Sequence, residues 1–511
     1  MSTDRPDRHG DDRRDARGRQ RGAARSRGQA GRTTQAPADR RRRTDPARTA
    51  AFDVLRDVDA SDAYANLVLP PLLRERGLSG RDAAFATELC YGTLRLRGRY
   101  DAILAACVDR PLDRLDPDVL DVLRLGAHQL LGMRVPAHAA VSETVGLARD
   151  RVGAGPAQMV NAVLRKVGRT PLPEWLDRVR DDAPDEITAL ARTGSHPVWI
   201  TRALREALHG NGRDAGETAD LLEADNTAPR VTLVTRPGLV DADELAAGTD
   251  ARLQAGRWAP TAHVLAPGSD PATLPAVADG RAGVQDEGSQ LVTLALAATP
   301  LDGPDARWLD LCAGPGGKAA LLAALAAGRG ATLVANEIAP HRARLVERGL
   351  RALPAGAVEA VRTGDGRDLG TEEPGAYDRV LVDAPCTGLG ALRRRPESRW
   401  RRTPADLGAL TGLQAELLRS ALDAVRPGGV VAYVTCSPHL AETRLVVDTV
   451  LRRRDDVERL DARAVVRDVL VPGADLDLGA DGGGAAGLDV QLWPHVHGTD
   501  AMHLTLLRRA G

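Results

Sequence analysis

Asp310-Leu311-Cys312-Ala313-Gly314-Pro315-Gly316-Gly317-Lys318 is the stretch whose reading decides the fold. It follows an apolar run near 307–311 that reads as a strand, and it runs into a helical stretch at 318–327. Further strands near 331–336, 378–383 and 429–435 alternate with helical stretches at 339–352 and 405–425. Alternation of this kind predicts a parallel sheet with helices on both faces. Gly314, Gly316 and Gly317 let the backbone turn tightly and approach a ligand, with a helix N-terminus behind them. The spacing is neither the dinucleotide Gly-x-Gly-x-x-Gly nor a P-loop. A glycine turn that only redirects the chain is the plainer alternative.

Working outward, the second strand ends at Asn336-Glu337, where an acid can accept from both hydroxyls of a ribose. Gly364-Asp365-Gly366 offers a carboxylate for an adenine amine. With Asp383 these acids, in order, favour a nucleoside cofactor over a plain turn. Two cysteines close the pattern. Cys386 ends Val380-Leu381-Val382-Asp383-Ala384-Pro385-Cys386, and Cys436 ends Val430-Val431-Ala432-Tyr433-Val434-Thr435-Cys436. Ligands bind outside the carboxyl ends of strands in open α/β sheets, so loop and thiols should share one crevice. Carbon 5 of cytosine is a poor nucleophile. A thiolate added at carbon 6 makes it enamine-like and able to attack a methyl group. Asp383 could orient the base through its exocyclic amine or N3. Cys90 and Cys107 fall on helix faces and read as small core hydrophobes. In Cys312 the backbone is expected to matter more than the sulfur.

With 511 residues, about three domains are expected. Net charge is −1 and carries no message, but its distribution does. Residues 1–45 read as a disordered arm: positions 1–43 hold fourteen Arg against six Asp and almost nothing apolar, a composition unable to build a core. The arm suits a polyanion such as RNA, or is simply solubilising. Only Lys166 and Lys318 represent lysine, so a lysine kept in the glycine loop stands out. The chain has no apolar run of membrane-spanning length and no signal-peptide core, and its five cysteines include no Cys-x-x-Cys pair. A cytoplasmic location is expected, with no membrane partner and no thiolate metal site. His495 and His497 lack a third ligand, so no metal is expected there.

Residues 46–170 read as a bundle of roughly six helices. Ala47, Ala50, Ala51, Val54, Leu55 and Val58 share a face, and Asp116-Pro117 caps a helix with the stripe Val119, Leu123, Ala127, Leu130. Residues 171–285 read as linker helices and a small α+β domain, in which 229–236 alternates like a strand with one polar face. Residues 286–511 form the α/β domain, with a flexible surface loop at 473–487.

At this point the residues resemble a known family. The loop 310–318, Asp-Ala-Pro-Cys at 383–386 and Thr-Cys-Ser at 435–437 are similar to those of the RNA 5-methylcytosine methyltransferases. The segment Val284–Gln290, Arg393-Arg394-Arg395-Pro396 and Arg399-Trp400 fit as well. The helical region resembles the antitermination factor NusB. The pairing points to the RsmB (Sun/Fmu) subgroup, over about residues 46–511. The resemblance implies an all-α NusB-like RNA-binding bundle at 46–170, a small α+β RNA-binding domain, and a Rossmann-like methyltransferase domain. It implies S-adenosylmethionine bound by Cys312, Ala313, Gly314, Pro315, Gly316, Gly317, Lys318, Glu337, Asp365 and Asp383. It implies that Cys436 is the nucleophile, while Cys386 assists proton removal or release of the methylated base. DNA cytosine methyltransferases use the Pro-Cys cysteine instead, so Cys436 favours RNA, here a cytosine of small-subunit (16S) ribosomal RNA.

Two departures stand out. Glu337 replaces the family's usual Asp, and Ala501-Met502-His503 replaces its usual glycine and aromatic residues. A transfer RNA substrate is the nearest alternative. A NusB-like binding or assembly protein with a vestigial methyltransferase domain is another, as is methyl transfer without a covalent step. Arginines 393–402 are expected to contact phosphates, which position RNA without reading it. Two Phe and five Tyr leave little for base stacking. A monomer is expected.

Overall fold

Ala47, Ala50, Ala51, Val54, Leu55 and Val58 are all buried along one face of the helix Pro46–Ser61, as their spacing requires. The computed structural model describes residues 45–510 apart from 62, 248–251 and 480–484. The Arg-rich arm, and part of the loop expected at 473–487, lie outside the described residues.

Seven α-helices occupy 46–167, one more than expected, because a helical run from Gly80 is interrupted at Leu96. Asp116 caps Pro117–Leu131 by accepting from the Asp118 N–H at 2.9 Å, with Pro117 at the first helical position. Cys90 and Cys107 are buried in this bundle's core. Four helices follow, Leu172–Asp181, Glu186–Thr193, Val198–Gly210 and Thr218–Asn226.

A small antiparallel sheet comes next. Its strands are β1 (Thr232–Thr235), β2 (Leu253–Ala255), β3 (Ala262–Leu265) and β4 (Ala282–Val284), in the order β2-β3-β1-β4. The polar face expected for the strand in 229–236 is absent: all four residues of β1 are buried. β1 is a central strand, and Thr235 spends its hydroxyl on the Thr261 carbonyl at 3.2 Å.

The larger sheet holds β5 (Arg307–Asp310), β6 (Thr332–Glu337), β7 (Val358–Thr363), β8 (Tyr377–Asp383), β9 (Val425–Thr435), β10 (Val457–Leu460), β11 (Val490–Gln491) and β12 (His503–Arg509). Their order is β10-β12-β9-β8-β5-β6-β7, with β11 beside β12. β5 to β9 are parallel, as expected. β12 runs antiparallel to β9, β10 and β11, so the sheet is mixed rather than parallel. β12 is buried over His503–Leu507, and Ala501 and Met502 before it are buried too.

The segment after Cys386 joins the helical region to the sheet. Arg399 is fully buried, and its guanidinium donates to the carbonyls of Arg95 (2.8 Å), Ser195 (3.0 Å) and Asp225 (2.7 Å) and to Asn226 Oδ1 (2.7 Å). Arg401 donates to the carbonyls of Val58 and Ala63, each at 2.7 Å. Arg393 and Arg394 pair with Asp286 and Asp500. Four arginines of the cluster expected to contact phosphate are therefore spent inside the protein. Burial without a partner is costly, and these acceptors leave each guanidinium committed. Arg399→Ala would strand four buried acceptors and open a cavity. A loss of about 3 kcal/mol is expected, read as a fall in the urea midpoint. An unchanged midpoint would show that the join contributes nothing to stability.

Candidate active site

Sheet order reverses between β5 and β8, and the crevice beyond their carboxyl ends gathers the residues singled out in the sequence. The glycine loop leaves β5. Ala313 N–H donates to the Asn336 carbonyl at 2.8 Å, and Asn336 Nδ2 donates to the carbonyls of Leu311 and Gly364, each at 3.1 Å. One buried asparagine thus ties the ends of β5, β6 and β7. Gly316 has φ +112°, where a side chain would be strained, and a Cβ there would meet Val346 Cα at 3.0 Å. A Cβ on Gly314 would fall 2.1 Å from Glu337 Oε2, so the loop and the acid are fitted to each other. Gly317, in contrast, faces open space.

Glu337 is buried. Its carboxylate accepts from Gly314 N–H and from Ala339 N–H, both at 3.0 Å, with Arg342 at 3.6 Å. Here the longer arm of Glu reaches back to the loop. Asp365 lies just past β7, which pairs with β6 so that Thr363 is opposite Glu337. Its carboxylate is held by Arg367 Nη2 at 2.6 Å, which with the Arg367 backbone N–H keeps it ionised below the usual range. Cys312 is half-buried, and its thiol is pushed well up by burial and then by the carboxyls of Asp310 and Asp383. A thiol so disfavoured as thiolate fits a backbone role.

Lys318 turns toward the thiols. Its ammonium meets Asp383 Oδ2 at 2.8 Å. Burial opposes the charge, but Asp383 outweighs it and the amine's pKa is raised. Beyond this pair, Cys386 Sγ and Cys436 Sγ lie 3.4 Å apart. A hydrogen bond from the Cys386 thiol lowers the pKa of Cys436 against burial and the charge of Asp383, with smaller help from the charges of Lys318 and Arg395. The same contact raises Cys386. The two thiols are thereby unequal, with the thiolate favoured on Cys436.

Two acids matter here that sequence reading missed. Asp310 is fully buried, and neither carboxyl oxygen has a hydrogen bond of good geometry. Burial, then the neighbouring Asp383, lifts it to about 8. The folded state therefore binds this proton more tightly than an unfolded chain, whose Asp titrates near ~3.9. Its contribution to stability is complete below about pH 4 and is lost as the pH rises through about 8. Asp310→Asn is expected to lessen that loss by a few kcal/mol on the order of magnitude. Urea midpoints of cofactor-free wild type and variant should diverge as the pH rises across this window; parallel curves would contradict the assignment.

The second is Glu442, fully buried beneath both cysteine loops. Its carboxylate accepts from Thr387 N–H (2.7 Å), the Thr387 hydroxyl, the Ser437 hydroxyl (2.6 Å) and Gln414 Nε2 (3.2 Å). Thr387 follows Cys386 and Ser437 follows Cys436, so one side chain sets both loops. A carboxylate six residues past Cys436 was the available signal. His495 pairs with Glu217 at 2.8 Å, and His497 bridges Trp493 N–H and the Asp477 carbonyl. Among the described residues no cluster fit for a metal is found, and no helix is long and apolar enough to cross a membrane.

Fold and site define a class: a doubly wound α/β enzyme whose nucleotide-type loop leads into a pair of thiols. Comparison with known proteins sharpens this. The family model of the 16S rRNA methyltransferase RsmB/F matches residues 297–508, and that of the NusB family matches 45–169. The Mycobacterium tuberculosis H37Rv protein Rv1407, named only as a methyltransferase, is 52% identical over 478 residues, 93% of this chain and 99% of its own. The ribosomal RNA small subunit methyltransferase B of Xanthomonas campestris is 33% identical over 84% of this chain and 90% of its own. The crystal structure of PH0851 shares the fold, with TM-score 0.71 at 20% identity over 90% of this chain and 97% of that one. The chain belongs to the RsmB/F family of methyltransferases, with a NusB domain at its N-terminal side.

Proposed function

We propose that the protein methylates carbon 5 of a cytosine in small-subunit ribosomal RNA, through a covalent adduct between Cys436 and carbon 6. The observation that carries this reading is the thiol pair at 3.4 Å, with Lys318 and Asp383 beside it. A methyl transfer to nitrogen or oxygen has no use for such a pair. The name of the Xanthomonas relative supports small-subunit ribosomal RNA as the substrate.

The loop fits S-adenosylmethionine as its cofactor: Gly317 faces open space, Gly314 meets Glu337, and acids stand at the ends of successive strands. Residues Cys312 to Lys318, with Glu337, Asp365 and Asp383, would hold it. When bound, it supplies an electrophilic methyl group to carbon 5. The Cys436 thiolate forms the sulfur–carbon 6 bond, and the displaced ring electrons make carbon 5 nucleophilic. Asp383, held by Lys318, accepts from the exocyclic amine of the base and from N3 once that nitrogen is protonated. After methylation the carbon 5 proton leaves to a base. The electrons of that C–H bond restore the 5,6 double bond, and Cys436 departs as thiolate. Cys386 stands close enough to assist this release. The target must leave its stack to reach the thiols.

The test is methyl transfer from labelled S-adenosylmethionine to unmodified small-subunit RNA, followed by nucleoside analysis. 5-Methylcytidine is expected. Label on nitrogen or oxygen, or on transfer RNA alone, would overturn the reading.

A further inference from the structure

The join between the helical region and the sheet leaves a cavity of about 540 Å³. Tyr64 and Arg97 line it from the helical side, and Glu397, Trp400, Arg401 and Arg402 from the segment after Cys386. The walls are fixed. Ala65 N–H donates to Glu397 Oε1 at 3.2 Å, and Arg401 is bound to the Val58 and Ala63 carbonyls. Its aromatic faces are taken by guanidinium groups: Arg395 and Arg401 lie 5.0 and 5.4 Å from the Tyr64 ring centroid, and Arg97 lies 5.9 Å from that of Trp400. What the cavity offers a ligand is therefore cationic donors rather than a stacking platform.

Two acids face the same space. Asp59 is engaged by Arg97 at 2.9 Å and also lies within reach of Arg56 and Arg124. Glu397 is 2% exposed, its second carboxyl oxygen has no partner, and burial raises its pKa, which weakens its opposition to an anion. Arg395 links the cavity to the chemistry. It is exposed, it stacks on Tyr64, and its charge reaches Cys436.

We propose that this cavity grips a backbone phosphate of the RNA beside the target cytosine, held jointly by the helical region and the segment that carries Cys386. The inference rests on the proposed methylation of RNA. It gives extrusion of the base a fixed point, since a nucleotide can be turned out only if its neighbours are held.

The test is binding of a fluorescent, unmodified single-stranded fragment of small-subunit RNA across a salt series, with wild type, Arg402→Ala and Arg97→Ala. Each lost phosphate contact should lower the slope of log K against log salt by about 0.7. S-adenosylmethionine binding reports that each variant is folded. Fragments carrying a neutral methylphosphonate at successive positions beside the methylated cytosine supply the second arm. At one position the neutral linkage should weaken wild type and leave Arg402→Ala unaffected. Equal salt slopes, or additive effects at every position, overturn the proposal. Methylation by wild type with equal slopes would sink the cavity alone. Arg402-dependent binding with no carbon 5 methylation would sink the proposed reaction and leave RNA binding at the cavity standing.

Discussion

Cys436→Ala is expected to lower methyl transfer by about 10⁴-fold or more, because it removes the only bond-forming group the proposed reaction has. Cys386→Ala is expected to behave differently. It retains the nucleophile but loses the neighbour at 3.4 Å, so a protein–RNA adduct should accumulate. Denaturing electrophoresis with labelled RNA reads the adduct, and nucleoside analysis reads the product. The two variants should show opposite signatures: no adduct without Cys436, excess adduct without Cys386. If Cys386→Ala were silent and Cys436→Ala trapped RNA, the roles would be exchanged. The lowered pKa of Cys436 also orders their alkylation. At neutral pH a thiol reagent should reach Cys436 before Cys386, and both before buried Cys90, whose thiol burial pushes above its usual range.

Glu442→Ala is expected to lower stability by about 3 kcal/mol, because it leaves the Thr387 N–H without an acceptor in a buried site and takes from the Thr387 and Ser437 hydroxyls their shared carboxylate, while Gln414 keeps only the Pro385 carbonyl. The effect on catalysis should be larger than stability alone explains. Both cysteine loops lean on this carboxylate, through Thr387 and Ser437. A shift of about 1 Å in reacting groups costs on the order of 10²-fold. Activity measured well below the unfolding midpoint should therefore still fall by about that factor, while S-adenosylmethionine binding is kept. Glu442→Gln, which keeps the size and one acceptor, should recover part of the rate. A variant that is destabilised yet fully active when folded would assign Glu442 to stability only.

The parallel half of the sheet and its crevice were legible because strand, loop and helix recur locally there. Cys386, Cys436, Asp383 and the glycine loop could be read from position alone, since a chemical residue at a strand end has one place to go. β12 was not legible. It pairs with β9 from about seventy residues away, and nothing local marks an antiparallel strand in a parallel series. The arginines after Cys386 misled for another reason. Composition cannot tell a guanidinium facing water from one that crosses to another region's carbonyls, as Arg399 does. β1 failed likewise: the alternation over 229–236 suggested a wet face, but all four residues of β1 are buried, so both faces are covered by the rest of the fold. Glu442 escaped because its partners, Thr387 and Gln414, are distant in sequence. Lys318 stood out in the glycine loop, but its pairing with Asp383, sixty-five residues on, could not be read from spacing.

That last pairing has a practical side for anyone labelling the molecule. Of the two lysines, Lys318 is shut in by its carboxylate partner, while Lys166 lies exposed on the helix Ala154–Val167. Amine-directed dyes and crosslinkers used on the folded protein should therefore find one side-chain target, on the helical region and away from the thiols, so that a reporter can be attached without blocking the crevice.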